Sequence, residues 1–181
     1  MQKKWTIIIA IVFVSLAGIF YFMKPLSVTS PTNNIETDNS STLTYTVAGL
    51  IFQSPSELKT EPVGPNATMI SLADTTKTDQ FYMVFFTAPT TGPAMSDSGL
   101  INYGKSTYMG SAKPATGKTS RLFFGTPLEG TLQTTSIPTP STLETYLLTL
   151  ADGKKVFVGI KYSLPKDEAD TIINTIGASM R

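Results

Sequence analysis

The sequence Tyr146-Leu-Leu-Thr-Leu-Ala-Asp-Gly-Lys-Lys-Val-Phe-Val-Gly-Ile160 decides the fold class. Two apolar runs flank Asp152-Gly153, and Asp-Gly supplies the positive φ angles of a two-residue type I′ turn. Glu144–Tyr162 is therefore predicted to be a β-hairpin. An alternative stays open for its first arm, because Ser141–Glu144 fits a capping box followed by apolar residues at helical spacing. We favour the strand, since Asp-Gly leads directly into an alternating partner.

Five further stretches carry the strand pattern, each a short apolar or alternating run bounded by turn-forming residues. They are Tyr45–Gln53, Ala67–Ala73, Gln80–Ala88, Ser120–Gly125 and Leu128–Thr135, the last two joined through Thr126-Pro127. Gln80–Ala88 is apolar on both faces, which predicts a central position in the sheet. Together with the hairpin, these stretches predict an antiparallel β-sheet.

Pro165–Met180 is the clearest helix after the N-terminal region. Its apolar residues recur at i, i+3, i+4, i+7 and i+11 and make one stripe for packing on a sheet face. They are Ala169, Ile172, Ile173, Ile176 and Met180. Pro165 is placed in the first turn, where Asp167 and Glu168 favour the positive end of the helix dipole. Adjacent helix positions do not face each other, so these two carboxylates are not assigned as a catalytic pair. The antiparallel sheet and this packing helix together predict an α+β fold class.

The N-terminal region contains a nineteen-residue uncharged run, Trp5–Met23, between Lys3-Lys4 and Lys24. At about 1.5 Å per helical residue it spans roughly 28 Å, close to the ~30 Å hydrocarbon core of a bilayer. Residues 1–24 are therefore predicted to be a cytoplasmic tip and a transmembrane signal anchor. Two lysines precede the run and one follows it, so the positive-inside rule places the N-terminus in the cytoplasm and the rest of the chain outside.

Two alternatives to the anchor remain open. A cleaved signal peptide would use Ser15 and Ala17 as its small residues and release a secreted domain. That cut would leave an apolar new N-terminus, and the run is longer than a usual signal peptide. The second alternative is a buried core helix, and the unbroken apolarity of the run on every face argues against it. The retained anchor is favoured for these reasons.

Residues 25–43 are rich in Ser, Thr, Asn and Pro and predict a flexible stalk. Residues 44–181 predict one extracytoplasmic domain with eleven acidic and eleven basic residues. This neutrality argues against nucleic-acid binding. The chain has no Cys and no His, which removes Cys–His and Ser–His nucleophiles and zinc sites built on those residues. We assign no catalytic residue, no metal ligand and no cofactor.

The sequence Gly99-Leu-Ile-Asn-Tyr-Gly-Lys-Ser106 matches the phosphate-binding pattern G-x-x-x-x-G-K-[ST]. That pattern binds phosphate when its backbone N–H groups lie between a buried strand and a helix. Here the preceding residues resemble a loop, and Gly110, Pro114 and Gly117 follow closely. We therefore do not assign nucleotide binding to it.

A local excess of positive charge is formed by Lys105, Lys113, Lys118 and Arg121, with no acidic residue among them. It predicts a basic face that docks an anionic lipid headgroup or a partner. The alternative is a solvated loop surface without a ligand, because the domain as a whole is neutral.

A strand ending at Leu50–Pro55 opens the domain, and a β meander follows. The strand Asp152–Gly159 and a closing helix that begins at Leu164–Ala169 complete it. This order of elements over 44–181 resembles the PsbP-like fold family. The resemblance implies an antiparallel sheet flanked by helices, with roles in binding and assembly. With no His, no metal-site residue of the photosynthetic members carries over. The second helix that the family implies has a poor candidate, Ser98–Met109, which contains a glycine.

The anchor, the stalk and the missing catalytic residue types predict a membrane-tethered extracytoplasmic binding or scaffolding domain. Its expected partners are the membrane, through Trp5–Met23, and a protein of an envelope assembly. One alternative is an extracytoplasmic hydrolase that uses Ser–Lys or paired carboxylates. The other is a secreted domain after signal cleavage.

Overall fold

The computed structural model describes residues 42–91, 93–111, 113–136 and 139–181. The predicted anchor Trp5–Met23 and nearly all of the predicted stalk lie outside these ranges. Between residues 42 and 181, no described helix has the length and apolarity that crossing a membrane requires. The architecture below is that of the predicted extracytoplasmic domain.

Seven strands form one fully antiparallel sheet. They are β3 (Leu58–Gly64), β4 (Ala67–Leu72), β5 (Phe81–Thr87), β6 (Gly117–Phe123), β7 (Thr126–Thr135), β8 (Ser141–Thr149) and β9 (Lys155–Tyr162). Their spatial order is β3-β4-β5-β9-β8-β7-β6. The prediction that Gln80–Ala88 lies inside the sheet is confirmed, because β5 pairs with β4 on one side and β9 on the other.

Two further strands, β1 (Leu43–Val47) and β2 (Leu50–Ser54), form a separate hairpin. The prediction of one continuous strand over Tyr45–Gln53 is wrong. Ala48 and Gly49 form a two-residue turn, with φ angles of 55° and 84°. Ala-Gly is not a strong turn signal, so the alternating pattern appeared to continue through it.

The predicted β8–β9 hairpin is confirmed, and the first arm is a strand rather than a helix. Its turn differs from the predicted type I′. Leu150 N donates to Lys154 O at 2.8 Å and closes the loop over residues 151–153. Gly153 N donates to Leu150 O at 2.9 Å, and only Gly153 of the Asp-Gly pair has a positive φ, 81°. This is a three-residue loop with glycine in the left-handed position, a common alternative for the same dipeptide.

The β6–β7 turn also lies elsewhere than predicted. Phe124 and Gly125 form it, with φ angles of 53° and 70°, and Thr126-Pro127 begins β7. A phenylalanine with positive φ is uncommon, so the sequence pointed to the proline instead. Strand β3 was not predicted, because its residues are mostly polar and include Pro62. Proline is tolerated there since β3 is an edge strand.

Two helices cover opposite faces of the sheet. Helix α1 spans Asp97–Tyr108 and packs on β8 and β9, and helix α2 spans Lys166–Ser179. The predicted apolar stripe of α2 is buried against the other face, together with the β1–β2 hairpin. Pro165 is the N-cap of α2 rather than a residue of its first turn.

Helix α1 is a regular helix, although the sequence pattern over Ser98–Met109 is a poor one for a helix. Ser96 caps it by accepting a hydrogen bond from Gly99 N at 3.1 Å. Gly104 faces β9, where an added Cβ would lie 2.5 Å from the ring of Phe157. The glycine that weakens the helix pattern is what permits this close packing.

Candidate functional site

The four residues of the predicted basic face are divided between the two faces of the sheet. Lys105, in the last turn of α1, donates from Nζ to Lys113 O at 3.1 Å. Alternation along β6 puts Lys118 on the α1 face, exposed and 3.5 Å from Glu129 Oε2, and Arg121 on the α2 face. A docking role for these residues stays a prediction, and only Lys105 and Lys113 are in direct contact.

Arg121 and Glu144 form a buried ion pair between β6 and β8. The side chains are 10% and 2% exposed. Arg121 Nε donates to Glu144 Oε2 at 2.9 Å, and Nη2 donates to Oε1 at 2.7 Å. This two-pronged geometry is the strongest form of an arginine–carboxylate contact. The hydrogen bonds to Glu144 are the main cause that raises the pKa of Arg121.

Two tyrosine hydroxyls complete the shell of Glu144. Tyr146 donates to Oε2 at 2.5 Å, and Tyr162 donates to Oε1 at 2.9 Å. Burial acts to raise the pKa of Glu144, but the hydrogen bonds from Arg121 and the tyrosines outweigh it and hold the pKa below its usual value. Burial, aided by the Glu144 charge, raises the pKa of Tyr162 to about 12 and that of Tyr146 further.

Helix α2 joins this cluster through Asp170. Its Oδ1 lies 2.7 Å from Arg121 Nη1, and its Oδ2 contacts Lys166 Nζ. Within the described chain, Oδ1 accepts no well-directed hydrogen bond and is held by the charge contact alone. Burial opposes ionisation of Asp170, but Lys166 and Arg121 lower its pKa overall. The cluster therefore contains two cations, Arg121 and Lys166, and two anions, Glu144 and Asp170, and has no net charge.

An open pocket of about 560 Å³ lies beside this network and is lined in part by Thr119, Thr142, Glu144 and Tyr162. Each carboxylate oxygen of Glu144 already accepts two hydrogen bonds, which fills its acceptor capacity. A carboxylate that is ionised and fully bonded is a poor general base. The network instead ties three strands to α2.

The phosphate-binding pattern at Gly99–Ser106 does not form a phosphate loop. Its glycines and Lys105 are residues of α1, preceded by the loop that follows β5. Lys105 is 9% exposed and bonds to a backbone carbonyl. Asp167 and Glu168 are also not a pair, since Glu168 accepts from Lys77 Nζ at 2.6 Å.

Sequence reasoning missed the roles of Glu144, Tyr146, Tyr162 and Asp170. A signal was present: Glu144 and Tyr146 alternate with Leu148 on the α2 face of β8, so a carboxylate occupies an otherwise apolar row. A charged residue in such a row needs a buried partner. Nothing in the local pattern identifies Arg121 as that partner, because they are 23 residues apart.

No family model matches this sequence, and no curated protein matches it. Among solved structures, one match is a protein from Bacteroides thetaiotaomicron VPI-5482, whose crystal structure was determined at 1.50 Å resolution. The two chains are 12% identical, with a TM-score of 0.42. The match covers 75% of this chain and 46% of that one, so this chain spans less than half of that protein's length.

Proposed function

We propose that residues 44–181 are a non-catalytic binding or scaffolding domain, accessory to a protein assembly of the cell envelope. In this proposal Trp5–Met23 anchors the domain in the membrane, and the stalk 25–43 extends it outside the cytoplasm. The flanking charges support this orientation, since Lys3 and Lys4 precede the anchor. Membership of the PsbP-like family, which implies a similar role, stays a prediction.

The observation that carries the proposal is the ion cluster of Arg121, Glu144 and Asp170, in which Glu144 accepts four hydrogen bonds and Asp170 contacts two cations. A hydrolase with paired carboxylates needs one of them free to accept or donate a proton. Here Arg121 lies against both carboxylates, and the tyrosines occupy the remaining acceptors of Glu144. Both carboxylates are engaged in contacts that stabilise the fold, so neither is free for catalysis. This favours a binding role over a hydrolytic one.

A contact surface for a protein partner is available at the β6–β7 turn. Leu122 and Phe124 are 44% and 38% exposed. Phe124 keeps a bulky side chain at a positive φ, where strain of about 1–2 kcal/mol is expected. Residues kept in such a conformation are often retained for function. Aromatic side chains, phenylalanine included, are also enriched at protein interfaces.

The membrane arrangement has a clean test, because the chain has no Cys. Single cysteines are introduced in the full chain, Thr149→Cys in the exposed end of β8 and Gln2→Cys before the anchor. A membrane-impermeant maleimide applied to intact cells is expected to label residue 149 and not residue 2. The reverse pattern overturns the orientation. Intact mass that lacks residues 1–17 would instead establish the secreted form.

The partner is tested with a photo-crosslinking amino acid at position 124 of the full chain in its own membrane. The matched control is position 66, an exposed residue that also has a positive φ, in the β3–β4 turn. A discrete crosslinked protein from position 124, and not from 66, is expected. Turnover of a substrate that a single Asp, Ser or Lys substitution abolishes would overturn the non-catalytic role.

A further inference from the structure

Three lysines on the α1 side of the sheet have no carboxylate partner within the described residues. Of the nine lysines there, six contact a carboxylate: Lys59, Lys77, Lys118, Lys154, Lys155 and Lys166. The other three are Lys105, Lys113 and Lys161, and they line two adjoining pockets. The unpaired positive charge of the domain's lysines is therefore concentrated in one place.

Lys105 is the buried member of this group. It is 9% exposed, and Lys113 O at 3.1 Å is the acceptor that its Nζ contacts. An ammonium has three N–H donors, so one carbonyl leaves two of them to be satisfied. A buried charge without a counter-ion is costly. A bound anion would supply the missing compensation.

The two pockets have about 560 and 660 Å³ of volume and share Ser111 and Lys113. Lys105 lines the smaller one and Lys161 the larger one. Lys161 Nζ also lies 5.8 Å from the centroid of the Tyr82 ring, a weak cation–π contact that leaves its N–H donors available. Both volumes are in the range of small-molecule sites.

Ser111, which lines both pockets, forms a buried hydrogen bond with Gln133, and this pair supplies a further N–H donor. Ser111 Oγ donates to Gln133 Oε1 at 2.8 Å, and both side chains are buried. The amide oxygen of Gln133 is thus occupied, and its NH₂ group has no acceptor among the described residues. What these residues can offer a ligand in the pocket is N–H donors, which suit an anion.

The charge and the apolar residues of the larger pocket indicate which kind of anion would fit. Asp79 is the acidic residue on its wall, so three lysines and one carboxylate give a net charge of +2 across the two pockets. Met109 and Leu143 form an apolar wall. A doubly charged headgroup would balance the lysines, while an attached organic group would pack on the apolar wall.

We propose that Lys105, Lys113, Lys161, Ser111 and Gln133, here called the lysine pocket, bind a phosphate monoester. Lysine binds phosphate as a point charge, without the fixed fork geometry of arginine. The monoester is either a soluble phosphorylated compound or the headgroup of phosphatidic acid. This site is separate from the Arg121–Glu144 cluster and from the β6–β7 turn, and it does not depend on the membrane anchor.

The test is titration calorimetry on the full chain in nanodiscs of phosphatidylcholine, with phenyl phosphate as the probe. Lys113→Ala together with Lys161→Ala is expected to weaken binding about tenfold or more, the effect of losing charge-assisted contacts. Lys59→Ala together with Lys154→Ala makes the same change in net charge at residues that line neither pocket and is expected to leave binding unchanged. Asp79→Asn removes the opposing charge and is expected to tighten binding.

Benzoate is the matched ligand control, since it has a similar ring but one charge. It is expected to bind about tenfold more weakly than phenyl phosphate. Lys113 is exposed and Lys161 is half-buried, so their variants are expected to keep the wild-type Tm, which is measured alongside. No saturable binding of phenyl phosphate, equal binding of benzoate, or equal binding by the Lys113/Lys161 variant would each overturn the proposal.

The source of the monoester is distinguished by adding phosphatidic acid to the nanodiscs. If the lipid headgroup occupies the lysine pocket, phenyl phosphate will bind more weakly in these discs than in pure phosphatidylcholine. Unchanged affinity assigns the pocket to a soluble ester. Both outcomes keep the pocket as a phosphate site, because each requires that phenyl phosphate bind in the phosphatidylcholine discs.

Discussion

Gly104 of α1 lies directly against the ring of Phe157 in β9. A Cβ at this position would be 2.5 Å from Phe157 Cδ1 and 2.7 Å from two other ring atoms, closer than carbon atoms pack. Phe157 is fully buried, between α1 and the sheet. The spacing of this helix from the sheet is therefore set by the absence of one side chain.

Gly104→Ala is predicted to lower the free energy of unfolding by about 1–2 kcal/mol. Alanine is the better helix former by roughly 1 kcal/mol, but overpacking against a buried ring costs about 1–3 kcal/mol and displaces the helix. Chemical denaturation of the two proteins measures the difference. Gly104→Ala combined with Phe157→Leu should lose less than the sum of the single changes, because leucine vacates part of the ring volume.

Thr107→Ala is the control for this prediction. Thr107 lies in the same helix and is exposed, so an alanine there meets no buried ring. The gain in helix propensity should leave the protein as stable or slightly more stable. If Gly104→Ala behaves like Thr107→Ala, the close approach of α1 to β9 is not the constraint inferred here.

The elements that the sequence predicted correctly are those whose own residues carry the signal. The β8–β9 hairpin and α2 have strong periodicity, and both are present. The sequence signal for α1 is weak because Gly104 lowers the local helix propensity. The close packing that Gly104 permits is against the ring of Phe157, 53 positions away in the sequence. Tertiary packing outweighed propensity there, as it commonly does. Local patterns do not contain such contacts.

The ion cluster was hidden for a related reason. Arg121 was grouped with Lys105, Lys113 and Lys118 because they are close in sequence, but alternation in β6 directs it to the α2 face. Its partner Glu144 resembled part of a helix cap. Strand register decides which charges meet, and register depends on the pairing of whole strands.

Glu144→Gln is predicted to destabilise the domain by about 3 kcal/mol, the usual cost of removing one member of a buried ion pair. Glutamine keeps the shape but puts an NH₂ group next to donors of Arg121, Tyr146 or Tyr162. Thermal and denaturant unfolding measure the loss. Glu129→Gln is the matched control, since its partner Lys118 is exposed and such pairs contribute little.

Replacing both members of the ion pair tests whether the pair stabilises the fold more than two apolar side chains would. Arg121→Met with Glu144→Met removes both charges and leaves Asp170 paired with Lys166. Replacing a buried ion pair by apolar side chains is often near neutral for stability. The double variant should therefore be more stable than Glu144→Gln alone. A double variant that is less stable than Glu144→Gln would show that the ion pair makes a net favourable contribution to the free energy of unfolding.

Stability is predicted to depend on pH at both ends of the scale through this cluster. The pKa of Glu144 is lower in the folded state, so its contribution is complete above its ordinary pKa near 4.5 and is lost as pH falls through the folded value. The pKa of Tyr162 is raised from 10.0 to about 12, so its contribution is complete below pH 10 and is lost as pH rises toward 12.

Tyr162→Phe tests the predicted loss of stability above pH 10, because phenylalanine does not titrate. The difference in unfolding free energy between wild type and this variant should be constant below pH 10 and shrink above it. Tyr45→Phe serves as the comparison: this tyrosine accepts from Leu58 N and does not contact Glu144. A difference that stays flat through pH 11 for Tyr162→Phe would contradict the raised pKa.

Phe124→Asn is predicted to remove crosslinking to the partner while changing the free energy of unfolding by less than about 1 kcal/mol. Asparagine relieves strain of about 1–2 kcal/mol at this positive φ, and the partial burial of the phenylalanine ring, worth a similar amount, is lost. Ala48→Asn makes the same kind of change in the β1–β2 turn and should leave partner crosslinking intact. Crosslinking is followed from a probe at position 122, whose side chain is also exposed. If crosslinking from position 122 persists in Phe124→Asn, Phe124 is a turn residue without a binding role, and the partner contacts the β6–β7 turn through other residues.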